Sequence, residues 1–159
     1  MNINVENSKY AQEAIRLFKE GFNCAQAVFL AFEDKYNIER DVALRLSSSF
    51  GGGMGRLREV CGAVTGMFMV AGVLYGYDEF NNHEKKSAHY TRIQQLAREF
   101  EVRNGSIICR QLLDLDKKTD HPVPEKRTEQ YYQKRPCVEL VGIAAAIMEQ
   151  YIKEEETAL

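Results

Sequence analysis

Four cysteines are the residues of this chain best suited to chemistry: Cys24, Cys61, Cys109 and Cys137. They stand 37, 48 and 28 residues apart. No pair is spaced Cys-x-x-Cys, which excludes a zinc ribbon, a zinc finger and a thioredoxin-like motif. There is no Cys-x-x-Cys-His either, so covalently attached c-type haem is excluded. If the four act together, the fold must assemble them. Cys24 follows Asn23, a good N-cap, and Cys61 follows a glycine loop and a helix start at Arg58 or Glu59. Cys109 stands three residues after the capping Ser106, and Cys137 follows Pro136. All four are therefore expected in or near the first turn of a helix. A helix start carries about half a positive charge and unsatisfied N–H donors. Both favour a thiolate and lower its pKa below ~8.5. Four thiolates in one place repel, so they coexist only around a cation or cluster, or as disulfides. The alternative is four small buried hydrophobes, a common fate of free cysteine.

The loop Gly51-Gly52-Gly53-Met54-Gly55-Arg56 precedes Cys61. It lacks the Lys-Ser/Thr of a P-loop and the strand context of a dinucleotide fold. A close backbone approach to the cysteines or to another helix is the expected use of its glycines. Its amides could donate to sulfur, and Arg56 and Arg58 could add positive charge, both of which tune a cluster. His83 and His89 lie six apart, on nearly opposite faces of a helix. No Glu-x-x-His accompanies them, so a di-iron carboxylate bundle is unsupported. These two and His121 read as surface residues. Tyr131 and Tyr132 either pack a long loop or form part of a ligand wall. No Gly-x-Ser-x-Gly or Ser-His-Asp signature is present.

The elements that must position these residues are helical almost throughout. Ala11, Ala14, Ile15 and Phe18 mark a first helix that Gly21 stops. A second starts at Asn23 and a third covers about Arg40 to Ser48. A fourth, apolar helix runs from about Glu59 to Leu74. Its Gly62, Gly66 and Gly72 are expected to admit a tightly crossed partner helix or a ligand. A long polar helix spans about Glu79 to Arg103, with Tyr90, Ile93, Leu96, Ala97 and Phe100 as its buried stripe. Asn104-Gly105 ends it, and Ser106 caps a short sixth helix. The segment Asp114 to Lys134, with Pro122 and Pro124, reads as a loop. Pro136 opens a last helix over about 136–153. The fold class is all-α: a compact, single-domain helical bundle of about six to seven helices over residues 1–159.

Composition bounds the function. The chain has 159 residues, of which 45% are hydrophobic and 28% charged, with a net charge of −2. It is long enough to bury a core without staples, so the cysteines are not needed to hold a minimal fold. A pI near 6.0 argues against binding nucleic acid or an anionic membrane by bulk charge. The stretch Val60 to Tyr77 holds too many small and polar residues for a membrane span. No secretory signal is visible, and a cytoplasmic location is expected. There, four cysteines are metal-binding, redox-active or inert rather than disulfide-forming.

Cys24, the glycine loop Gly51 to Arg56, Cys61-Gly62-Ala63-Val64-Thr65-Gly66, Cys109 and Cys137 together resemble the bacterial C_GCAxxG_C_C family, described as redox-active proteins. The resemblance spans about residues 10 to 150. The chain is also similar to the iron–sulfur part of split-Soret cytochromes, where cysteines hold a [2Fe–2S] cluster. The resemblance implies that Cys24, Cys61, Cys109 and Cys137 carry the redox role and bind the metal, as [2Fe–2S] or another metal site without haem. Gly52, Gly53, Gly55, Arg56, Gly62 and Gly66 would surround the cofactor. One departure stands out: the family pattern reads Gly-Cys-Ala, this chain Cys61-Gly62-Ala63, which moves the cysteine one residue and roughly 100° around a helix. The first expectation is therefore an electron-transfer protein with an unidentified redox partner. The others are a metal-free thiol–disulfide protein, with Cys24 and Cys61 as the first pair, and a helical ligand-binding or interaction module. A homodimer is expected as the common oligomer.

Overall fold

The computed structural model describes residues 1–116 and 118–159. Residue 117, inside the expected loop, lies outside the described residues. The chain is all-α, as its periodicity predicts. Four helices make the core: α1 (Lys9–Glu20), α2 (Cys24–Ala31), α5 (Gly62–Tyr75) and α9 (Cys137–Ala158). Between them come α3 (Arg40–Ser48) and α4 (Gly51–Met54). The remaining helices are α6 (His83–Asn104), α7 (Cys109–Leu112) and α8 (Glu129–Lys134).

The core helices form for local reasons that also fix where they start. Ser8 caps α1, its hydroxyl accepting from the Ala11 N–H at 2.9 Å, and left-handed Gly21 closes the helix. Asn23 and Gln26 form a reciprocal capping box at the start of α2. α2 and α5 are apolar on almost every face because neighbours surround them. Phe18, Phe29, Phe32, Val64, Met67, Ile147 and Met148 are all essentially inaccessible. Burial of such side chains stabilises by about 1.5–3 kcal/mol each. α5 meets α2 through Gly62 and Gly66: a Cβ on Gly66 would stand 2.8 Å from the Ala25 carbonyl oxygen. Gly72 differs, because a Cβ there would meet nothing within 4 Å. The expected close crossing thus holds for two of the three glycines.

Every helix expected from the sequence is present, with corrected ends. α5 starts at Gly62 rather than near Glu59, because Arg58 to Val60 are drawn into pairing with another segment. α6 starts at His83 rather than Glu79, and α9 continues to Ala158 rather than ending near 153. Tyr90 is 53% exposed, not part of the buried stripe of α6. That stripe runs through Ile93, Leu96 and Phe100, and Tyr90 instead stands edge-on to Tyr77. Ser106 is not the N-cap of α7. Its hydroxyl accepts from the Ile108 N–H at 2.9 Å and shapes the turn before the helix. The expected loop from Asp114 contains α8, capped by the Thr128 hydroxyl and too short to show a period. Among the described residues, no helix is long and apolar enough to cross a membrane.

Candidate functional site: a cavity lined by four thiols

Each cysteine opens a helix. Cys24, Cys109 and Cys137 are the first residues of α2, α7 and α9, and Cys61 is the N-cap of α5. A short antiparallel bridge between Val60 and Ile108 ties two of these starts together. In it the Cys61 N–H donates to the Ile107 carbonyl at 2.8 Å, and the Cys109 N–H donates to the Glu59 carbonyl at 2.6 Å. The bridge carries α7 to the start of α5, while the α2–α5 crossing at Gly62 carries Cys24 there. A Cβ on Gly62 would stand 2.3 Å from the Cys24 sulfur. All four cysteines line one cavity of about 450 Å³. Cys61 and Cys109 are buried, and Cys24 and Cys137 are half-buried.

The glycine loop forms one wall and is built against the usual handedness of L-residues. Gly52, Gly53, Met54, Gly55 and Arg56 have φ of 68°, 67°, 68°, 63° and 67°. Arg58 follows with φ 59°. Hydrogen bonds from Met54 to Phe50 and from Gly55 to Gly51 close the turn. Left-handed backbone costs about 1–2 kcal/mol per non-glycine residue. Met54, Arg56 and Arg58 therefore store strain, which structures concentrate at functional sites. Gly53 has to be glycine for a second reason: a Cβ would come within 2.6 Å of the Cys109 Cβ and 2.9 Å of the Arg58 Cα.

Arg58 is the buried cation of the site, with 4% of its surface exposed. Its Nη1 donates to the Cys109 sulfur at 3.5 Å and its Nη2 to Asp120 at 3.0 Å. Arg56 reaches the same carboxylate at 3.2 Å, and the Arg58 hydrogen bond holds the Asp120 carboxyl below the usual range. Arg127 donates to the Phe18 and Phe22 carbonyls at the end of α1 and stacks 4.0 Å over the Phe18 ring. Arg135 pairs with Glu125. These contacts fasten the proline loop over the cavity.

Burial raises the Cys24, Cys61 and Cys137 thiols, contrary to the lowering expected from helix starts. Cys24 is pushed up by desolvation, against the Gly52 N–H that favours its thiolate. Cys61 is pushed well above its ordinary range, first by burial and then by the charge of Cys24. Cys137 is pushed up to about 12 by burial, then by Cys24 and Cys109. The helix termini supply the expected donors, but desolvation of a thiolate outweighs them. A buried protonated thiol is a poor nucleophile, and a cation that displaces its proton reverses the balance.

Of the glycine and arginine positions named from the sequence, Gly52, Gly55, Arg56 and Gly62 line the cavity. Gly53 and Gly66 do not line it; they permit the close approaches behind it. Tyr131 is in the wall, whereas Tyr132 packs edge-on between Tyr131 and Phe18. His83 and His121 are exposed, and His89 is half-buried on α6, away from the cysteines. The reading from sequence missed Arg127, Arg135, Asp120 and the apolar wall of Leu112, Leu113 and Leu140. The proline loop carried no motif for them, only charge. Among the described residues, no group of three or more His, Cys, Asp or Glu is drawn together to hold a single metal ion.

Comparison with known proteins agrees with the cysteine pattern. Residues 22–151 match the family described as "Putative redox-active protein (C_GCAxxG_C_C)". An uncharacterized protein of Archaeoglobus fulgidus is 27% identical over 160 residues, covering 96% of this chain and 99% of that protein. No solved structure matches.

Proposed function

Because the chain belongs to the C_GCAxxG_C_C family of redox-active proteins, we propose that its four cysteines hold an iron–sulfur cluster that transfers electrons. The observation that carries this reading is the convergence of Cys24, Cys61, Cys109 and Cys137, from four separate helix starts, on one cavity. Four cysteine thiolates are the ordinary ligand set of a [2Fe–2S] or [4Fe–4S] cluster. The thiols line a cavity of about 450 Å³. A cluster has several irons, each of which takes its own ligands, and [2Fe–2S] needs two thiolates per iron.

The rest of the wall suits such a group. A cluster with four thiolates is anionic, and Arg58 beside Cys109 supplies a buried counter-charge. The Gly52 N–H at Cys24 and the helix-start N–H groups at Cys24 and Cys61 are donors of the kind that set cluster potential. The bound group would supply one-electron chemistry; the chain's own residues shield it from water and orient donors to sulfur. Anaerobic reconstitution with iron and sulfide, followed by visible and electron paramagnetic resonance spectra, tests the reading. The expected result is a dithionite-reducible chromophore with a spin signal in one of its two states. A protein that stays colourless after reconstitution would leave the thiol–disulfide reading in its place.

A further inference from the structure

We infer that Asp120 is a positioning residue: it holds the Arg58 guanidinium on the Cys109 sulfur and so sets the electron affinity of the group bound there. The effect on a cluster rests on the reading above; the placement of Arg58 does not. The Arg58 backbone is fixed independently of its side chain. Its N–H donates to the Gly52 carbonyl at 3.4 Å, and its own carbonyl accepts from the Arg110 N–H and Nη1, both at 3.2 Å. The guanidinium, by contrast, is anchored only through Nη1 on the Cys109 sulfur and Nη2 on the Asp120 carboxylate, among the described residues. Its Nε is buried without a partner and holds nothing. Sulfur is a weak acceptor, whereas a carboxylate makes a strong charge-assisted bond. Asp120 is therefore the stronger of the two anchors.

Asp120 is itself held in place. Its Oδ1 accepts from the His121 N–H at 2.8 Å, and its Oδ2 takes both Arg58 and Arg56. Its N–H donates to the Arg56 carbonyl at 2.9 Å, and Arg56 Nε donates to the His121 carbonyl. Arg56 thus grips the loop at Asp120 and at the next residue, from a backbone in the left-handed region. Asp120 does not line the cavity, whereas Arg56 and Arg58 do. It acts on a bound group through Arg58. Two effects of opposite sign follow. As a negative charge, Asp120 disfavours an added electron. As the anchor of Arg58, it keeps a cationic donor on a ligating sulfur, which favours one. The donor is 3.5 Å from the sulfur, and the carboxylate lies beyond the guanidinium. The nearer charge dominates. Loss of Asp120 should lower the reduction potential, the reverse of what loss of a negative charge alone would do.

The test is potentiometry of the anaerobically reconstituted protein, paired with iodoacetamide alkylation of the iron-free, reduced protein read at each cysteine by mass spectrometry. Asp120→Ala and Arg58→Gln should each lower the potential. Asp120→Ala added to Arg58→Gln should lower it no further, because the two residues act as one unit. Asp120→Asn keeps an oxygen acceptor, so its potential should stay above that of Asp120→Ala; this comparison decides the matter if the Arg58 variant does not fold. In the iron-free protein, Asp120→Ala should slow alkylation of Cys109 by about fivefold and leave Cys24 and Cys137 unchanged, since a guanidinium beside sulfur favours the reactive thiolate. A potential that rises or stays constant in Asp120→Ala overturns the positioning role, as does an equal fall in the Arg58→Gln background. Faster alkylation of all the thiols overturns it too, because Asp120 would then only fasten the loop. Iron content, read on the same samples, separates the two proposals. A protein that takes no iron but shows the slowed Cys109 sinks only the cluster, and a loaded protein whose potential ignores Asp120 sinks only the positioning role.

Discussion

Replacing Gly66 by Ala should push apart the two helices that bring Cys24 and Cys61 together. The new Cβ would stand 2.8 Å from the Ala25 carbonyl oxygen, 3.0 Å from the Val28 Cβ and 3.3 Å from the Ala25 Cα. Two of these atoms are α2 backbone and cannot rotate aside, so α5 must retreat. Overpacking of this kind costs about 1–3 kcal/mol, and the better helix propensity of Ala returns about 1. The net loss is about 0–2 kcal/mol, or a fall in Tm of up to roughly 8 °C for a chain of this size. Gly72, two turns on in the same helix, provides the control. A Cβ there meets nothing within 4 Å, so Gly72→Ala should gain about 0.5–1 kcal/mol from propensity alone. Urea unfolding followed by circular dichroism reads both. Opposite signs are predicted. A stabilising Gly66→Ala, or a destabilising Gly72→Ala, would refute the close α2–α5 crossing.

Three further outcomes follow from the same contacts. In the metal-free protein, the Cys137 thiol is raised to about 12 from an ordinary value near ~8.5. The folded state therefore binds more protons than the unfolded state, and stability present below pH ~8.5 should be lost as pH rises toward 12. Urea midpoints from pH 8 to 10 should fall, less so in Cys137→Ser, and a rising midpoint would contradict the burial of that thiol. Exchanging the order of Cys61 and Gly62 restores the family pattern but places a Cβ 2.3 Å from the Cys24 sulfur and 2.8 Å from the Phe50 carbonyl oxygen. It should cost about 1–3 kcal/mol, and unchanged thermal unfolding would show that this frame accepts the family order as it is. Arg127→Met removes two hydrogen bonds and the stack on Phe18. A loss of about 2 kcal/mol is expected, with faster proteolysis of the loop before α8; an unaltered digestion pattern would mean that Arg127 does not fasten it.

Much of the fold was legible because its signals are local. Gly21, Asn23, Gly105 and Pro136 punctuate helices by backbone chemistry that needs no partner. Asn23 and Pro136 place Cys24 and Cys137 at helix starts in this way, whereas the starts assigned near Cys61 and Cys109, at Glu59 and Ser106, are shifted in the structure. That the thiols face one cavity depends on the Val60–Ile108 bridge and on the bare flank of Gly62, both long-range facts. The direction of the thiol shifts was misread because capping is local, whereas desolvation is a property of the assembled wall. Tyr90 was misplaced because a polar helix with a narrow apolar stripe leaves its phase loosely set. Gly53 and Gly66 carry the signature of a site but serve the packing behind it.

The most direct measurement is iron and acid-labile sulfide per chain after anaerobic purification, in the wild type and in Cys24→Ser, Cys61→Ser, Cys109→Ser and Cys137→Ser. Equal, stoichiometric iron and sulfide in the wild type, with both reduced in each of the four variants, is the predicted result. Wild-type protein without iron, or variants that all retain it in full, would contradict a cluster held by these four thiols.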